Sequence, residues 1–92
     1  MDNIIMLDNF YLFTFSNTTD ALKAEKLLKN NNYEHALIPT LREISSSCGL
    51  SVKVRPELTN IIKELLDSNK INFANIYRVE KKDKDYLIEN IN

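Results

Sequence analysis

The order of the hydrophobic patterns in this chain of 92 residues predicts an α+β fold. Three observations carry that expectation. An aromatic, strand-favouring hexapeptide, Phe10–Phe15, stands near the start. Apolar and polar residues alternate from Leu50 to Arg55, as on a strand with one buried side. Two amphipathic stretches of helical period each follow one of the strand-like segments. The full order is β-α-β-β-α-β, which points to a ferredoxin-like sandwich, a four-stranded antiparallel sheet with two helices on one face.

Each element has a local reason. Phe10–Phe15 is bounded by Asp8-Asn9 and Ser16-Asn17. It places Tyr11, Phe13 and Phe15 on one side and Phe10, Leu12 and Thr14 on the other, so it should be a central strand. Thr18 or Thr19 then offers an N-cap, Asp20 suits the positive helix end, and Ala21, Ala24, Leu27 and Leu28 recur at helical spacing. The run Asn30-Asn31-Asn32 ends the helix, because asparagine accepts left-handed backbone. A second strand runs from Glu34 to Ile38, and Pro39 stops it or confines it to an edge. Thr40 to Gly49 shows no sustained period and holds the turn-forming run Ser45-Ser46-Ser47-Cys48-Gly49.

In the third strand, Leu50, Val52 and Val54 should be buried and Ser51, Lys53 and Arg55 solvated. Pro56-Glu57 opens the second helix, whose apolar stripe is Leu58, Ile61, Ile62, Leu65 and Leu66. Asp67-Ser68-Asn69 breaks it, and Phe73 to Val79 forms the fourth strand. Lys81-Lys82-Asp83-Lys84-Asp85 alternates in sign with no apolar residue and is expected to be a solvated linker. Tyr86-Leu87-Ile88 and Ile91 beyond it would dock as one helical turn or fray. The expected organisation is a single domain over residues 1–92. Its core spans about 10–80, with an N-terminal extension at 1–9 and a charged tail at 81–92.

Composition narrows the function classes. A formal net charge of −1 gives no electrostatic footprint for nucleic acid or an anionic membrane, so neither is an expected partner. Cys48 is the one cysteine, which excludes an intrachain disulfide and a cysteine-based zinc site and favours a reducing, cytoplasmic setting. The run Ile4-Ile5-Met6-Leu7 is too short for a membrane span or a signal peptide. Glycine-rich phosphate loops and heptads are absent, and no cofactor or metal is implied. His35 has no Cys or His partner at ligand spacing and is expected at the surface. The serine run lacks an acid-base constellation, so a serine hydrolase is disfavoured.

One stretch carries a more specific signal. Pro39-Thr40-Leu41-Arg42-Glu43-Ile44-Ser45-Ser46-Ser47-Cys48-Gly49-Leu50 resembles the signature of a small bacterial family, the selenium/sulfur (Se/S) carrier protein-like family. Phe15 to Leu28 looks like its first helix with the preceding strand end, and Ile76-Tyr77-Arg78-Val79 like its last strand. The resemblance covers about residues 10 to 80. Leu41 departs from it, standing where relatives often carry a second proline. The family also occurs fused to a sulfurtransferase-like carrier domain with its own cysteine, which this chain lacks. Membership implies a sulfur or selenium role, with donor and acceptor proteins as partners.

A chalcogen carrier needs a thiolate that can take up sulfur or selenium and hand it on, and Cys48 is the only candidate. The hydroxyls of Ser45, Ser46 and Ser47 and the backbone around Gly49 can donate to it, and Arg42 can add positive charge. Gly49 would let the backbone approach a bound group. Against this, free cysteine is among the most buried residue types, and Cys48 can equally be packing before the third strand. Arg42-Glu43, for its part, is expected as a local ion pair on an exposed loop with no catalytic meaning. Two functions follow: a carrier working through Cys48 rather than a stand-alone catalyst, or a non-enzymatic interaction module. The module would bind a partner or a second copy, as a homodimer, through the helix-free sheet face. Because the first strand is apolar on both sides, that face should be covered by another chain or by the segments around Ile4–Leu7 and Tyr86–Ile91.

Overall fold

The computed structural model describes residues 4–44 and 48–91. Five strands form one antiparallel sheet: β1 (Asn9–Thr14), β2 (His35–Pro39), β3 (Leu50–Val54), β4 (Asn75–Lys82) and β5 (Asp85–Asn90), in the order β2-β3-β1-β4-β5. Helix α1 (Thr18–Asn30) joins β1 to β2, and α2 (Thr59–Ser68) joins β3 to β4. The α+β class and the antiparallel sheet are as expected. The four-stranded sandwich is corrected to five strands, and the element order is no longer a simple β-α-β-β-α-β.

The added strand comes from the segment expected to be a linker and tail. Asp83 takes φ 54°, left-handed backbone that aspartate tolerates, and the chain turns there so that Lys82 pairs with Asp85. Val79 then faces Ile88 and Lys81 faces Tyr86 across the ladder. Backbone pairing with β4 satisfies this charged stretch, and hydrophobicity does not betray it.

The helix-covered face carries the main core. Tyr11, Phe13, Leu37, Leu50, Val52, Val54 and Ile76 project from the strands toward α1 and α2. Phe13 is fully buried and meets Phe73 edge-on, with ring centroids 5.3 Å apart. From α1 come Ala21, Ala24 and Leu28, whose two small members allow close approach to the sheet. Its N-cap is Asn17 rather than Thr18 or Thr19: the Asn17 side chain accepts the Asp20 N–H at 2.8 Å and donates back to the Asp20 carboxylate at 3.0 Å. Asn32 takes φ 60° as the chain leaves the helix. Pro56–Leu58 forms a 3-10 turn ahead of α2, so proline sits one turn before the α-helix proper. Ile62 and Leu66 of α2 are buried, whereas Ile61 is 45% exposed at the margin of the stripe.

The opposite face is covered as well, from within the chain. Phe10, Leu12, Ile38, Tyr77 and Val79 lie there beneath Leu7, Leu41 and Ile44, with Tyr86 and Ile88 of β5 beside them. The 3-10 turn Ile4–Met6 and the β2–β3 connection supply this cover. Of the two covers expected for the helix-free face, another chain or the segments around Ile4–Leu7 and Tyr86–Ile91, the second is present, joined by the turn of the β2–β3 connection. This cover also removes the expected solvated side of β3, since Ser51 and Lys53 are buried at 0% and 5% exposure.

Candidate functional site

The β2–β3 connection, residues 40–49, is held shut at its neck. The Thr40 N–H donates to the Gly49 carbonyl at 2.9 Å, and the Thr40 and Ser51 hydroxyls share a hydrogen bond of 2.8 Å. A turn follows, closed by the Ile44 N–H donating to the Leu41 carbonyl at 2.9 Å, and it buries Ile44 against the helix-free face. Ser45, Ser46 and Ser47 lie outside the described residues. At the far side of the neck, Cys48 is half-buried and packs against the core of the opposite, helix-covered face. The connection therefore wraps the end of the sheet, with its turn on one face and its thiol on the other.

Gly49 has φ 71°, left-handed backbone that side-chain-bearing residues rarely adopt, and a Cβ there would meet nothing within 4 Å. Backbone conformation by itself calls for glycine here. This conformation turns the Leu50 peptide back toward the thiol. Cys48 Sγ accepts the Leu50 N–H at 3.4 Å and donates to the Leu50 carbonyl at 3.3 Å. The neutral thiol makes both bonds, while a thiolate keeps only the one from N–H. Arg42 is exposed on the turn anchored to the other face, and no hydrogen bond or ion pair joins it to the thiol. Among the described residues Arg42 and Glu43 form no ion pair with each other.

Two polar groups stand out beyond those expected. His35 is not a surface histidine: its side chain is 11% exposed, with Nδ1 donating to the Tyr33 carbonyl at 2.8 Å and Nε2 2.6 Å from the Glu25 carboxylate. It clamps α1 to the start of β2, and no group of metal-binding side chains surrounds it among the described residues. Lys53 lies beneath the cover of the helix-free face. Burial draws its pKa below the ordinary lysine value, an effect that the nearby carboxylate of Asp8 opposes. The signal for Lys53 was present in β1, whose apolar residues on both sides imply that β3 beside it is covered on both sides too.

A family model described as "Putative Se/S carrier protein-like" matches residues 10–78, more than half of the chain and including the whole β2–β3 connection. No curated protein and no solved structure matches. Among the described residues, no helix is long and apolar enough to cross a membrane.

Proposed function

Since the chain belongs to the Se/S carrier protein-like family, we propose that it is a chalcogen carrier, holding its cargo on Cys48 between a donor and an acceptor protein. The supporting observation is the placement of the only thiol. Cys48 lies inside the matched region, half-exposed at the neck of the β2–β3 connection, where the Leu50 N–H donates to its sulfur.

The chemistry is a transfer without net oxidation. The Cys48 thiolate attacks the outer sulfur of a donor persulfide, a new S–S bond forms, and the donor's inner sulfur departs as thiolate. Cys48 then bears the persulfide, and an acceptor thiolate takes the outer sulfur by the same displacement. A selenopersulfide follows the same course with selenium as the outer atom. The Leu50 N–H supports the anion at each stage, and Ser45, Ser46, Ser47 and Gly49 complete the proposed surroundings, with Arg42 on the turn of the same connection available to the incoming partner. Nothing in this scheme requires a general base or a metal.

The contact of Cys48 with the core favours a second reading, in which the cysteine packs and the protein serves as an interaction module. Intact mass after incubation with a small-molecule persulfide donor separates the two. A carrier gains one sulfur mass, removable by dithiothreitol and absent in Cys48→Ser, while Cys48→Ser keeps its fold. No gain under conditions that load an established carrier, with Cys48→Ser markedly destabilised, leaves the packing role.

A further inference from the structure

The helix-free face bears a partly open cavity of about 330 Å³ at the edge of its cover, large enough for a small organic molecule. Phe10, Ile38 and Leu41 form apolar walls, while Lys53, Lys81 and Asp8 bring charge to the lining. Lys53 enters from β3 with its ammonium 4.1 Å from the centroid of the Phe10 ring and donates to the Leu7 carbonyl at 3.4 Å. Lys81 is fixed at the rim, where its backbone N–H donates to the Asp8 carbonyl at 2.8 Å. Among the described residues of the lining, two lysines face one aspartate, an excess of one positive charge.

We propose that this cavity binds a small aliphatic monocarboxylate, its head between the ammonium groups of Lys53 and Lys81 and its tail against Phe10, Ile38 and Leu41. Each part of the occupant answers a property of the cavity. A neutral apolar molecule would offer no negative charge to the Lys53 and Lys81 ammonium groups. A strongly hydrated inorganic anion would shed its water against apolar walls that offer nothing in exchange. A monocarboxylate matches the excess charge, accepts charge-assisted hydrogen bonds and buries its chain. The site is independent of Cys48, which packs on the other side of the sheet.

Chemical-shift titration of the full chain with hexanoate, hexanol and sulfate at fixed ionic strength provides the test. Hexanoate should produce saturable shifts at Phe10, Ile38 and Leu41, with affinity at least about tenfold above hexanol and sulfate. Lys53→Met should weaken hexanoate by about tenfold, and the rim substitution Lys81→Gln by about threefold. Equal binding of hexanol would reduce the cavity to an apolar gap, and equal or tighter binding of sulfate to a bare anion site. Either result overturns the proposal, as do hexanoate shifts located elsewhere or no shifts at all. Both comparisons of ligands use the unsubstituted protein, so they decide the matter even if Lys53→Met folds poorly.

Discussion

The two faces of the sheet are built from the same strands and closed by different means. On one, α1 and α2 bring apolar stripes onto Phe13, Val52 and Val54, and Phe73 adds an edge-on ring to Phe13. On the other, a 3-10 turn and the turn of a connection place Leu7, Leu41 and Ile44 over Phe10, Leu12 and Val79, and a lysine lies among them. Helices supply rigid surfaces whose backbone groups are satisfied internally. Loop cover is thinner, leaves a partly open cavity, and brings polar backbone such as the Leu7 carbonyl against the sheet. Bulk stability should therefore reside on the first face and binding capacity on the second.

The sharpest test of that division is Phe13→Ala, which should cost about 3 to 5 kcal/mol and lower the urea midpoint of the whole protein. Ile44 is buried to a similar degree but belongs to a loop turn rather than a central strand, and about 2 kcal/mol is expected for Ile44→Ala. Its signature in hydrogen exchange should be faster opening of the helix-free face, with α1 and α2 protected as before. Equal global losses for both substitutions would remove the distinction between the faces. Gly49→Ala, at the neck joining them, should cost about 1 kcal/mol through its left-handed backbone alone, because a methyl group there meets nothing.

Lys53→Met should show the smallest change at pH 7, between none and a gain of about 1 kcal/mol, because it replaces a desolvated charge by an apolar side chain. The pH dependence gives its sign. Lys53 has a lowered pKa in the folded protein, so over the interval up to its ordinary value the unfolded chain binds more protons and the native protein gains stability as pH rises. Any advantage of Lys53→Met should accordingly shrink between pH 7 and about pH 10 in paired urea titrations. An advantage that widened would show that Lys53 is stabilised as the cation by its surroundings.

The elements most legible in the sequence were those whose burial is one-sided and whose partner lies nearby. The stripe of α2, the alternation of Leu50, Val52 and Val54, and the end of α1 at the asparagine run all follow from local period and backbone preference. β5 was hidden because an edge strand is held by its ladder and carries charge freely, so Lys81 to Asp85 read as solvent-facing chain. Lys53 was misplaced because its burial depends on cover that comes from residues far away along the chain. The candidate cysteine was legible from its uniqueness and motif. Its bonds to Leu50 and its contact with the helix-covered core depend on how the connection folds over the sheet end.

β5 has a consequence for solubility. The family match ends at Arg78, partway along β4, so the end of that strand and all of β5 lie beyond it. Without β5, the backbone donors and acceptors of β4 would form a bare rim next to Tyr77 and Val79, the kind of rim on which identical chains stack. With it, the outermost strand presents Asp85 and Glu89, and at the far side of the sheet β2 ends in Pro39, which has no N–H to offer. Charge on one margin and a proline at the end of the other work against intermolecular strand pairing, although Leu87 of β5 is exposed between the two acids.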